Sequence, residues 1–204
     1  MTLRPLADVG AADWLVSSGA HWFDLASYGP PGFASYVRLV GRGRTAQGAE
    51  GGDLDDEDVR AALVEVLALH TTSAAEAYFC LWEGGGLEGS GAQGFPDAFP
   101  PAVTRMPRVT LGMFGERCYL MFGGALGEIG QWGDDPGHGG IGGPHLFWPA
   151  DHAWCVASDV DGDGSQRDIR WVGVGGTSAL IEALRADGRF ELEHTGPDHP
   201  HPYR

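Results

Sequence analysis

A carboxylate and an imidazole stand side by side at Asp151-His152, inside the turn-like segment WPADHAW. Such a pair can move protons at neutral pH. Cys155 follows three residues after His152. In an extended segment that odd spacing puts thiol and imidazole on opposite faces, unless a turn at His152 brings them together. An Asp in a turn equally well caps backbone amides. Asp151 and His152 are the catalytic candidates, and they would serve a small hydrolase or a ligand-binding enzyme beside the glycine-rich 133–144 loop.

Asp159-x-Asp161-x-Asp163-Gly164 opens like a calcium loop, with carboxylates at the first, third and fifth positions and glycine at the sixth. The twelfth position is Arg170, where a bidentate Glu is required. The flanking residues also read as strands. Asp159, Asp161 and Asp163 are therefore metal candidates only by their spacing, and Asp and Gly are equally the ordinary residues of a hairpin connection. Gly173-x-Gly175-x-x-Ser178 follows a strand and opens a helix, as a dinucleotide fingerprint does. Ser stands where that fingerprint has Gly or Ala, too little chain follows for a doubly wound sheet, and a plain strand-to-helix turn needs the same glycines. His194, His199 and His201 make a histidine- and proline-rich tail, read as solvated. No metal and no cofactor are expected. The chain has no G-x-S-x-G, no H-E-x-x-H and no C-x-x-C.

Composition removes further classes. Formal net charge is −15 over 204 residues, which opposes a nucleic-acid backbone or an anionic membrane as partner and favours a basic protein. All 13 basic residues are Arg. Without Lys there is no Schiff-base chemistry and no P-loop lysine. The three cysteines, Cys80, Cys118 and Cys155, lie in apolar strand-like contexts and read as buried free thiols of a reducing compartment. The N-terminal residues lack an apolar signal core, and no run reaches membrane-spanning length. The expected location is the cytoplasm.

The elements that must position these residues follow from periodicity. Ser35 to Val40 alternates as a strand. Val59, Ala62, Leu63, Val66, Leu67 and His70 form one helical stripe over 55–70, with Asp55 as N-cap and Asp56, Glu57 and Asp58 in the first turn, where the helix dipole favours negative charge. A helix is also expected over Ala11 to Ser17. Tyr78 to Trp82 is a short apolar strand. Arg108 to Leu111 and Arg117 to Phe122 pair around a turn at Gly112–Glu116, and Ala125 to Trp132 is a short helix. His145 to Trp148, Trp154 to Asp159 and Ile169 to Val174 are strands, followed by a helix over Thr177 to Asp187 and a last strand over Phe190 to His194. Gly84–Pro101 and Gly133–Pro144 are long Gly-rich loops.

The expected fold is α+β: a single domain over 1–194, with a flexible His/Pro tail over 195–204. Its sheet is mainly antiparallel, with about five to seven strands, and the helices near 55–70 and 177–187 cover one face. Trp22, Trp132, Asp134 and Asp135 lie in or beside loops and are the candidates for an exposed, acidic, aromatic partner-binding surface.

The segments YGPPGFASYVRL, HTTSAAEAYFCLWEG, WPADHAWCVASDVD and VGVGGTSALIEALRAD resemble an uncharacterised family of cytosolic proteins of about this length from high-GC bacteria. The likeness spans most of the chain and implies no site residue. The last third is also similar to the SMI1/KNR4-type immunity superfamily, which implies a partner-binding role. The leading expectation is a non-enzymatic, acidic partner-binding protein of immunity or regulatory type; the alternative is the small hydrolase on Asp151 and His152.

Overall fold

The computed structural model describes residues 2–40, 54, 56–83, 99–132, 143–161 and 169–199. In chain order the elements are β1 (Arg4–Pro5), α1 (Asp13–Val16, entered through a 3-10 turn), α2 (Trp22–Tyr28), β2 (Ser35–Val40), α3 (Glu57–Ala68), β3 (Ala77–Trp82), α4 (Pro101–Thr104), β4 (Val109–Leu111), β5 (Arg117–Gly124), β6 (Leu146–Pro149), β7 (Cys155–Asp161), β8 (Ile169–Gly176), α5 (Ser178–Ala186) and β9 (Glu191–His194). The fold is α+β. One continuous nine-stranded sheet runs β1-β5-β3-β6-β7-β8-β2-β9, with β4 also paired to β5. Every pairing is antiparallel. The sheet is wider than the expected five to seven strands: the segments that read as strands already number eight and all join it, and the short β1 pairs with β5 through Arg4 and Pro5 as a ninth.

Strand alternation divides the core into two layers. Phe79 and Leu81 of β3, Val156 of β7, and Val172 and Val174 of β8 pack with Leu63, Val66 and Leu67 of α3 and Leu180, Ile181 and Leu184 of α5. These are the two helices expected from periodicity, and they do share one face. The opposite face is also covered: Cys80, Leu146, Trp148, Cys155 and Ala157 pack with Leu15 of α1 and Leu25 of α2. Burial on both sides explains why β3 and β6 read as unbroken apolar runs.

Helix ends show the local chemistry. Asp56, not Asp55, caps α3; its Oδ1 accepts from the amides of Asp58 (2.9 Å) and Val59 (3.2 Å). At the other end of α3 the Leu67 carbonyl accepts from the His70 amide at 3.0 Å and from Trp154 Nε1 at 3.1 Å. Thr177 caps α5 through Leu180 N. The expected helix over Ala125 to Trp132 is a single 3-10 turn, Leu126–Glu128. Helix α2 was not expected. His21 Nδ1 accepts from the Phe23 amide at 3.3 Å, and Gly29 closes the helix with φ 76°. With three aromatic residues in seven, α2 has little intrinsic helicity. Packing across β7 and β8 holds it.

That packing depends on β8. Val172 and Val174 face α3 and α5, and Gly173 and Gly175 face the other way. A side-chain carbon at Gly173 would overlap the Ser27 carbonyl oxygen of α2, and one at Gly175 would meet the rings of Phe33 and Tyr36. The V-G-V-G-G run is thus a strand with one bare face for α2 to lie on. Beyond β9, the Thr195 amide donates to the Tyr36 carbonyl (3.4 Å), and Thr195 and Gly196 are buried. No helix among the described residues is long and apolar enough to cross a membrane.

Candidate functional site

Asp151 and His152 lie in the turn between β6 and β7. The Asp151 carboxylate accepts four hydrogen bonds: from Thr71 Oγ1 (2.8 Å) and Ala153 N (3.2 Å) at Oδ1, and from Thr72 N (2.7 Å) and Thr72 Oγ1 (2.8 Å) at Oδ2. Its own amide donates to Ser73 Oγ at 3.0 Å. Burial disfavours the ionised form, but the hydrogen bonds from Thr72, Thr71 and Ala153 outweigh it and hold the pKa at about 2. This carboxylate clips the 71–73 turn to the 150–153 turn. A carboxylate held so far below neutral, with its lone pairs engaged, is a poor general base.

The imidazole has a different partner. His152 stacks on Trp14 of α1, with ring centroids 4.2 Å apart and planes 14° from parallel. Burial lowers its pKa, with the Asp151 charge opposing. Its φ of 53° makes it the one positive-φ non-glycine residue among those described. Cys155, the first residue of β7, is fully buried in the layer under α1 and α2, and burial pushes its thiol up, away from the reactive thiolate. The turn at His152 therefore assembles no thiol–imidazole pair. Cys80 is buried in the same way, whereas Cys118 is only half-buried, so the expectation of three buried thiols holds for two.

The spacing-based metal and nucleotide candidates also find structural roles. Asp159 and Asp161 stand within β7, in register with Trp171 and Ile169 of β8, so this stretch enters a β-hairpin and not a helix–loop–helix; Asp163 lies outside the described residues. No group of three or more His, Cys, Asp or Glu that could hold a metal occurs among the described residues. Strand β8 runs antiparallel to both its neighbours, unlike the parallel strands of a dinucleotide-binding unit. In the histidine-rich tail the His194 and His199 rings meet edge to face at 5.2 Å, with Arg185 Nη2 3.4 Å from His194 Nδ1; His201 lies outside the described residues.

The partner-binding candidates separate. Trp132 is a correction: it is 3% exposed and packs edge to face on Phe122 at 5.1 Å, because the chain after the 3-10 turn folds back over the α3 layer. It offers no ring to a partner. Asp134 and Asp135 lie outside the described residues. Trp22 is half-buried at the start of α2. The Arg117 guanidinium lies 5.1 Å from the Trp22 ring centroid and 4.4 Å from that of Trp82, a cation between two indoles.

Beside that stack the β4–β5 turn carries two residues the sequence reading passed over. Met113 is 88% exposed and Phe114 is 86% exposed. The turn beneath them is tied down: Glu116 Oε2 accepts from the Phe114 amide at 3.0 Å, and Gly112 and Gly115 have φ of 85° and 73°. Any side chain at Gly112 would collide with the Glu116 carboxylate and approach Trp22. The signal was present in G-M-F-G-E, two large apolar residues between glycines inside a turn. Helix α1 packs against β4, so α1, α2 and this turn form one surface.

Fold and site define an α+β protein with a wide antiparallel sheet, a clipped Asp151 corner and an aromatic surface at one edge. No protein-family model matches the chain, and no curated protein or solved structure is significantly similar to it.

Proposed function

We propose that this chain is a non-enzymatic, acidic partner-binding protein of immunity or regulatory type, whose partner is a basic protein. One observation carries the reading. Beside the Trp22–Arg117–Trp82 stack the β4–β5 turn holds Met113 and Phe114 exposed, on a chain whose formal net charge is −15. Aromatic area with a surplus of carboxylates suits a partner of opposite charge. The chain-wide charge of −15 would steer such a partner toward it. A hydrolase on Asp151 and His152 has less support, because the carboxylate is engaged by the 71–73 turn and the imidazole is stacked on Trp14.

The test is capture by the immobilised full chain at low ionic strength from an extract of its source cells. A basic protein should be retained and released as salt rises. Recovery of no protein at low salt would remove the reading.

A further inference from the structure

We infer that His21 and His145 form a pH-sensitive latch on the Trp22–Arg117–Trp82 stack: as neutral rings they hold its two ends, and on protonation they let go and release Arg117. The inference goes beyond the partner-binding reading and does not depend on it.

The side chains make one run of contacts. The His21 and Trp22 ring centroids are 5.6 Å apart, Arg117 lies 5.1 Å from Trp22 and 4.4 Å from Trp82, and Trp82 meets His145 edge to face at 6.0 Å. Each histidine also holds backbone. His21 Nδ1 accepts from the Phe23 amide at 3.3 Å and caps α2 immediately before Trp22. His145 Nδ1 accepts from the Trp82 amide at 3.1 Å, where β3 ends. A backbone N–H only donates, so each Nδ1 carries no proton in this arrangement. In an imidazolium both ring nitrogens are donors. Protonation therefore sets donor against donor beside each indole, and it adds positive charge at both ends of a stack built around a guanidinium. Protons reach both rings, since His21 is exposed and His145 is half-buried.

The charges around the run are balanced or directed elsewhere. The Glu116 carboxylate lies by Gly112 and Trp22, and it offsets Arg117. Asp24 of α2 acts on Tyr28, and Asp13 of α1 lies by Gly10. On the Trp82 side Glu83 is paired with Arg108. On β7 the Ser158 amide donates to the His145 carbonyl at 2.6 Å, and Asp159 follows it in the chain. Opening the latch uncovers the indoles beside Met113 and Phe114 and leaves β8 and the α3 layer as they are.

Ring currents of the two indoles displace the Arg117 side-chain proton resonances, so NMR of the full chain reads the latch directly. As pH falls from about 8 to about 5, the interval in which imidazoles charge, the Arg117 resonances should move most of the way to those of a free arginine. The methyl resonances of Val172 and Val174, in the α3 layer, should stay in place. The His21 and His145 ring protons should titrate as Arg117 moves. Combining His21→Asn with His145→Asn supplies acceptors that do not titrate, and this double variant should keep Arg117 displaced across the whole interval. His152→Asn, at a ring stacked on Trp14, should respond as the wild type does. An Arg117 that does not move in the wild-type chain overturns the inference, and so does a movement that persists in the double variant. Should the double variant fail to fold, the wild-type curves decide: Arg117 moving while neither histidine titrates with it overturns the latch. Displacement of the Val172 and Val174 methyls together with Arg117 marks general unfolding and overturns it as well.

Discussion

Gly173 of β8 lies directly beneath the Ser27 carbonyl of α2, close enough that a single added carbon would overlap it. The backbone of a helix thus rests on the backbone of a strand. This contact sets the depth at which α2 sits and so places Trp22, at the start of that helix, against Gly112 and Arg117. Gly173→Ala should push α2 off the sheet and cost about 2–3 kcal/mol or more, because neither backbone can yield cheaply. Gly127→Ala, where an added carbon meets nothing, should stay within about 0.5 kcal/mol of wild type. Urea denaturation of the two variants checks the contrast.

The Asp151 clip predicts an acid-side signature. Its folded pKa of about 2 lies below the ordinary 3.8, so its contribution to stability is full above the ordinary value and is lost as pH falls through the folded one. Asp151→Asn should cost about 1–2 kcal/mol near neutral pH, because an amide cannot accept from donors on both sides. The gap between variant and wild type should close as pH is lowered below about 4. Denaturation midpoints measured across that range test it; a constant gap would mean that the carboxylate's charge is not what holds the 71–73 turn.

His152 also loses stability on acidification, but over a higher pH range. Its pKa is lowered from 6.5 by burial against Trp14, so the unfolded chain takes up the proton first. It contributes nothing to the pH dependence where both states are neutral, and stability falls as pH drops through the unfolded value. His152→Asn, which tolerates the left-handed backbone and does not titrate, should flatten the profile between about pH 7 and 5. The backbone has its own test. With φ of 53° at this position, His152→Gly should be more stable than His152→Ala by about 0.5–1 kcal/mol.

The thiols give a simple count. Cys80 and Cys155 are fully buried, and Cys118 is half-buried beside Thr110 and the Gly115 carbonyl. A disulfide reagent added to the native protein should titrate one thiol quickly, and all three of the cysteines only after unfolding. A cysteine-to-serine change at 118 should abolish the fast phase.

Elements with a strong period were legible in the sequence. The stripe of α3, the alternation of β2, the β4–β5 pairing and the helix after Thr177 all follow from local pattern, because each element buries one repeating face. Helix α2 was not legible. Its seven residues carry no helical stripe, and what stabilises it is a bare strip on β8, more than a hundred residues away in the chain. Trp132 misled for the same reason: a tryptophan beside a glycine-rich stretch reads as exposed until the Phe122 ring is known to meet it.

The candidate site divides along the same line. Composition alone established the negative charge and the absence of lysine chemistry, since these are sums over residues and need no coordinates. Adjacency of Asp151 and His152 could be read directly, but their roles could not. Whether a carboxylate acts as a base or as a clip depends on the donors it meets, and Thr71 and Thr72 come from the far side of β3, some eighty positions earlier. Likewise only the folded chain brings Arg117 between Trp22 and Trp82 and leaves Met113 and Phe114 in water. Local period and summed charge are properties of the chain; exposure and partnership are properties of distance, and distance is set only when the sheet closes.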